Sequence, residues 1–190
     1  MHQEIIYPGA EGFSVRRPVR LVGDQEGLER LCAELLGEAV IALDVETTLD
    51  WGRLCLAQVA TGAWSAVIDV FEIEDISPLF AVLENPSIKV IIHNAGFERS
   101  ILSPLGCHIT GVFDTLRASR RLRGYRIAGG HSLGAVCRRE LEIELDKSYQ
   151  RSDWRRRPLS SGQINYAALD AEVLIDLYEI FRDLFFPEEK

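Results

Sequence analysis

No stretch of the 190-residue chain approaches the roughly 18 uninterrupted apolar residues of a membrane-spanning helix, and Met1-His2-Gln3-Glu4 lacks the basic start of a secretory leader. These absences exclude a membrane span and lead us to expect a cytoplasmic protein. Cysteine is scarce: Cys32, Cys55, Cys107 and Cys137 lie far apart with no C-x-x-C pair, which excludes a zinc ribbon and a secreted disulfide scaffold. They read as reduced core thiols. Positive charge is also in deficit, with 21 Lys and Arg against 29 Asp and Glu and a formal charge of −8. Taken over the whole chain, that balance argues against a nucleic-acid partner, because phosphate binding rests on Lys and Arg. Repeats and low-complexity tracts are missing too. What is present is 47% hydrophobic residues, enough for one buried core. A single domain over 1–190 is expected, its core at about 25–186.

The charge is unevenly placed. Between Arg117 and Arg157 stand 12 Lys and Arg against 5 Asp and Glu, a basic strip on an acidic body. Such a strip is either a solvated face or a track for phosphates. Leu28, Leu31, Leu35 and Leu36 recur at helical spacing before Gly37, predicting a helix over 26–37. Strand-like runs follow at 40–43, 53–60 and 64–70, and connections as short as Thr61-Gly62 force antiparallel pairing. Helix and strand then alternate: helices at 77–84, 95–103 and 115–122, strands at 88–92 and 109–113, and a long final helix at 162–185. Alternation of this kind implies crossover units and parallel strands. The expected fold class is α/β, a mixed sheet with an antiparallel meander first and helices on its faces. Loops are expected at 124–130 and 147–158.

Several acids fall where apolar residues belong. Asp44 and Glu46 lie two apart at the end of an apolar strand, so both side chains leave the same face. Asp170 shares a helical stripe with Tyr166, Val173 and Leu177. Glu98 sits among Phe97, Ile101, Leu102 and Leu105. A buried ionised carboxylate without a partner costs several kcal/mol. One such acid can be answered by an arginine or by backbone donors. Four inward acids together match the hard-oxygen ligand set of Mg²⁺ or Mn²⁺.

These residues fall into ordered motifs: Ala42-Leu43-Asp44-Val45-Glu46-Thr47, then His93-Asn94-Ala95-Gly96-Phe97-Glu98, then Tyr166-Ala167-Ala168-Leu169-Asp170-Ala171. Phe113-Asp114-Thr115, His131-Ser132-Leu133 and the run from Asp153 to Ser160 lie between them. With these motifs the chain resembles the DEDD 3′-5′ exonucleases of the ribonuclease H-like (DnaQ-like) fold, and within them the ribonuclease D catalytic-domain family. Tyr166, four residues before Asp170, is similar to the tyrosine subclass. The chain departs from the family at Glu98, which stands where the second motif has Asp, and no helical nucleic-acid-binding module is expected after the final helix.

The resemblance implies a metal-dependent exoribonuclease. Asp44, Glu46, Glu98 and Asp170 would hold two Mg²⁺ or Mn²⁺ ions, Tyr166 would orient the attacking water, and nucleoside 5′-monophosphates would leave a single-stranded RNA 3′ end. Thr47, Thr48, Trp51, His93, Asn94 and Phe97 would hold the terminal nucleotide, with Arg155, Arg156 and Arg157 on the phosphates. Two rival readings stand beside this one: a DNA exonuclease, since the Werner-syndrome exonuclease domain resembles the same motifs, and a binding module that has lost catalysis through Glu98.

Overall fold

The computed structural model describes residues 15–50 and 52–185. Six strands form one sheet: β1 (Val19–Val22), β2 (Val40–Thr47), β3 (Leu54–Ala60), β4 (Ser65–Asp69), β5 (Lys89–Ile92) and β6 (Val112–Asp114). Six α-helices join them: α1 (Gln25–Leu35), α2 (Ser77–Leu83), α3 (Ala95–Leu102), α4 (Thr115–Arg123), α5 (Leu133–Glu140) and α6 (Ser161–Phe185). The strand order is β1-β4-β3-β2-β5-β6. The pairs β2–β3 and β3–β4 are antiparallel, whereas β1–β4, β2–β5 and β5–β6 are parallel. The expected mixed sheet is therefore present. The meander is not its first element, because β1 precedes it and pairs along β4 at the sheet edge.

Alternation along the strands builds two cores. Leu43, Val45, Ala57, Val59, Val90 and Ile92 face one side and pack with Leu28, Leu31, Leu35, Leu79 and Leu83 of α1 and α2. Ala42, Leu56, Ala60, Val67 and Ile91 face the other and meet α6 through Ala167, Ala171 and Leu174. The small residues of α6 let a 25-residue helix lie close on the sheet. With helices on both faces, β3 and β4 are buried at every position, as expected of strands covered on both sides.

The last strand starts later than the sequence predicts. Gly111 has φ +60° and a β-carbon there would lie 2.4 Å from the Ile88 carbonyl oxygen, so the chain turns at Gly111 before joining the sheet at Val112. Between the two expected loops the structure adds α5, whose N-cap Ser132 hydroxyl accepts from the Ala135 N–H at 3.4 Å.

The start of α6 fixes the segment before it. Ser160 and Gln163 form a reciprocal capping box: Gln163 N–H donates to Ser160 Oγ at 3.2 Å, and Ser160 N–H to Gln163 Oε1 at 3.0 Å. The same glutamine donates from Nε2 to Ser152 Oγ at 2.9 Å. That bond anchors the 147–158 loop, so buried Trp154 is held against α6.

Candidate active site

Strand β2 carries Asp44 and Glu46 toward α6, and α6 brings Asp170 to meet them. One carboxylate oxygen from each of the three lies within 4.8 Å of the others. Burial first, then the neighbouring Asp170, Glu46 and Glu98, holds Asp44 well above the ordinary carboxylate range. Burial and Asp170 push Glu46 up to about 9. Burial takes Asp170 to about 7, against the opposing pull of a hydrogen bond from the Tyr166 hydroxyl. Among the described residues no cation pairs with any of the three. Three convergent hard-oxygen donors that repel one another fit a divalent cation, which would supply the charge they lack.

Tyr166 stands over this group. Its ring is braced by Trp154, with centroids 6.0 Å apart, and by Tyr149 at 6.3 Å. Burial and the carboxylates hold its phenol above the ordinary tyrosine range, so it stays protonated at neutral pH. It can orient a water by hydrogen bonding. It is not a base there.

The acids open into a cleft of about 810 Å³, lined also by Thr47, His93, Asn94, Phe97, Arg120 and His131. Phe97 is 42% exposed, leaving its ring free to meet a base. Asn94 adopts the left-handed conformation at φ 73°, and its N–H donates to Asp114 Oδ1 at 3.1 Å. The His93 ring is fixed from both sides: Nε2–H donates to the His131 carbonyl at 3.0 Å, and Nδ1 meets the Thr115 hydroxyl at 2.9 Å. Burial draws its pKa down to about 4, so the ring is neutral. His131 continues this wall, donating from Nε2 to the Gly124 carbonyl at 2.9 Å and meeting the Ser119 hydroxyl through Nδ1 at 2.9 Å.

Other sequence-selected residues fall elsewhere. Thr48 is buried and its hydroxyl accepts from Arg53 N–H at 3.0 Å, a brace for the turn after β2. Trp51 lies outside the described residues. Glu98 is buried close enough to raise Asp44, yet stands outside the convergent trio. Among the described residues its Oε2 has no hydrogen-bond partner, and burial pushes its pKa up to about 8.

Arg155, Arg156 and Arg157 do not line the acidic cleft. Arg157 forms a two-pronged ion pair with buried Asp69 and donates to the Trp154 carbonyl at 2.8 Å. Arg155 pairs with Asp153 at 3.2 Å, and Arg156 borders a separate groove beside Pro158. The cleft takes its cation from Arg120 instead, and Gln150 reaches it from the loop before α6. A charge count along the chain marks the right segment but cannot tell an engaged arginine from a free one.

The fold and this arrangement of acids define a nuclease-type hydrolytic centre. The family model for 3′-5′ exonucleases matches residues 19–185, and the chain belongs to that family. It is 37% identical over 163 residues to DNA polymerase I of Aquifex aeolicus, covering 86% of this chain and 27% of the polymerase. It is 32% identical over 171 residues to ribonuclease D of a Shewanella species, covering 85% of this chain and 42% of that protein. Among solved structures, the catalytic core of RRP6 from Trypanosoma brucei superposes with a TM-score of 0.81 at 28% identity, over 96% of this chain and 51% of that one. The chain thus spans less than half the length of these curated relatives.

Proposed function

We propose that this chain hydrolyses single-stranded RNA from the 3′ end, releasing nucleoside 5′-monophosphates. The observation that carries the reading is the convergence of the Asp44, Glu46 and Asp170 carboxylates beneath Tyr166, at the base of an open cleft. Asp44, Glu46 and Asp170 would hold one Mg²⁺ or Mn²⁺, and Asp44 with Glu98 and the substrate phosphate a second. Bound there, the pair would lower the pKa of the attacking water and steady the leaving 3′ oxygen. The protein's own residues do the rest. Tyr166 orients the water by hydrogen bonding, Phe97 offers its face to the terminal base, and Arg120 meets backbone phosphate. Thr47, His93 and Asn94 shape the pocket for the last nucleotide. Four free, buried cysteines and the want of a helix long and apolar enough to cross a membrane among the described residues agree with work in the cytoplasm.

The ribonuclease D and RRP6 relatives favour RNA, and the polymerase relative keeps DNA as a second reading. RNA and DNA oligomers labelled at the 3′ end, incubated with Mg²⁺ or Mn²⁺, test both. The expected result is early loss of label as nucleoside 5′-monophosphate from RNA, arrested by EDTA. Faster release from DNA transfers the assignment to DNA, and retention of label on both refutes it.

A further inference from the structure

Beside the acidic cleft, α3 and α4 part from a common clamp. Asp114 Oδ1 accepts from the N–H of Asn94 at 3.1 Å and of Leu116 at 2.9 Å, and Oδ2 from Ala95 at 3.2 Å, so one carboxylate fixes the start of both helices. Beyond the clamp, both helices and β6, the last strand of the sheet, border one space. A cavity of about 270 Å³ lies between them.

Its lining is sharply divided. Val112, Phe113, Ala118 and Phe185 supply apolar surface, Arg99 from α3 and Arg117 and Arg121 from α4 supply positive charge, and the clamp carboxylate of Asp114 also borders the space. Among the described residues Arg99 and Arg121 enter no ion pair. Arg117 reaches only Asp114, at 3.7 Å, and that carboxylate already accepts the helix N–H groups. Arg121 lies over the Phe185 ring, 5.1 Å from its centroid. Two guanidinium groups without an ion pair among the described residues, and a third shared with Asp114, offer planar forks of donors that match phosphate oxygens. An apolar floor beneath them suits the face of a base or ribose. The chemistry is that of a nucleotide.

Helix α4 connects this cavity to the cleft. Leu116 and Arg120 line the acidic cleft, and their neighbours Arg117 and Arg121 line the cavity, so α4 is the ridge between the two. The ridge is one helix wide, about 10 Å. From these placements we infer that the cavity binds a nucleotide unit of the substrate strand, a few residues upstream of the 3′ end held in the cleft. The inference rests on the exonuclease reading and extends it by a second strand contact.

Equilibrium binding of fluorescent RNAs of two and eight nucleotides, measured in EDTA over a salt series, tests this separately from cleavage. The variant is R99A/R117A/R121A. Its octamer affinity should fall at least tenfold and its dinucleotide affinity less than threefold. The slope of log affinity against log salt should become shallower by about 0.7–1.4, at roughly 0.7 for each of the one or two phosphates beside the bound nucleotide. A control that also removes three positive charges, R30A/R138A/R182A, should leave octamer affinity within threefold. Unchanged octamer binding, equal losses for both lengths, or an equal loss in the control overturns the inference. So does tight binding of free adenosine 5′-monophosphate that the triple variant abolishes, which would make the ligand a free nucleotide. Should the triple variant fail to fold, Arg121→Gln alone is expected to lower octamer affinity severalfold, and no change would be equally decisive. Failure of the label-release assay would sink the exonuclease reading without altering these binding outcomes.

Discussion

Replacing Asp44 by Asn should make the metal-free protein more stable while removing its activity. The carboxylate oxygens of Asp44, Glu46 and Asp170 lie within 4.8 Å of one another. At that separation one pair of charges repels by about 0.9 kcal/mol at the dielectric constant of water and about 3.5 kcal/mol at an effective value of 20. Where Asp44 escapes the repulsion by taking up a proton, folding at pH 8 bears the cost of that uptake instead. An amide avoids both and keeps an oxygen that can accept from the Val45 N–H, as the carboxylate does. A gain of about 1–3.5 kcal/mol corresponds to a rise in Tm of roughly 3–10 °C for a domain of this size. The assay is thermal melting at pH 8 in EDTA and again with Mn²⁺. Wild type should gain from Mn²⁺, by about 2.7 kcal/mol at a hundred times Kd, and Asp44→Asn should gain little. A variant that melts no higher than wild type in EDTA, or that responds to Mn²⁺ as fully as wild type, would refute the electrostatic account of the site.

Three further outcomes are expected. Tyr166→Phe should lower kcat at least tenfold with KM nearly unchanged, because the lost hydroxyl acts on the attacking water; steady-state kinetics on one oligomer decide it, and a pure KM effect reassigns Tyr166 to substrate holding. Arg157→Ala should destabilise by about 3–5 kcal/mol, since it leaves largely buried Asp69 without its cation, and urea unfolding would show a far smaller change if the pair were solvated. Metal-free stability should fall as pH rises from about 5 to 9, because two raised carboxylates outweigh one lowered imidazole. With folded pKa values raised to about 9 for Glu46 and about 7 for Asp170, protonation favours the fold, so their contribution is full below about 4 and is lost as pH rises through 7 to 9. His93, lowered from 6.5 to about 4, works in the other direction: its contribution is full above 6.5 and is lost as pH falls toward 4. Urea midpoints from pH 5 to 9 in EDTA check the slope, and a profile flat above pH 6 would contradict the carboxylate shifts.

What was legible in the chain follows the strength of its periodic signals. Leu28, Leu31 and Leu35 declared α1, and the acid-bearing strand showed itself by its apolar approach to Asp44. Four-residue β1 left too short a pattern to separate from a loop, and eight-residue α5, with Leu133, Val136 and Cys137 as its apolar side, was hidden between glycine-rich and charged segments. The convergent acids were readable because charge in an apolar stripe is anomalous on any fold. Arg120 and Gln150 were not, since an exposed polar residue gains meaning only when another element folds over it. The engagement of Arg157 was hidden for the converse reason: Asp69, 88 residues before it, is its partner, and no local pattern announces so distant a pair.

The contrast between two acids of α6 explains where the chemistry resides. Asp170 and Glu172 are both buried on one helix, two residues apart. Glu172 is fully answered: it accepts from the N–H groups of Arg16 at 3.1 Å and Arg17 at 3.2 Å, and from Arg16 Nε at 3.2 Å. Its burial ties the segment before β1 to the helix. Asp69 is answered in the same way by Arg157, and Glu140 by Arg123 and Arg139. The protein therefore has arginines to give to buried acids and uses them wherever the acid is structural. Asp170 faces Asp44 and Glu46 instead, with only a tyrosine hydroxyl in support. Removing one partner of a buried pair costs several kcal/mol, so leaving three carboxylates together without a cation is a standing destabilisation. A divalent ion relieves it, and the same charge that relieves the fold is the charge the hydrolysis requires.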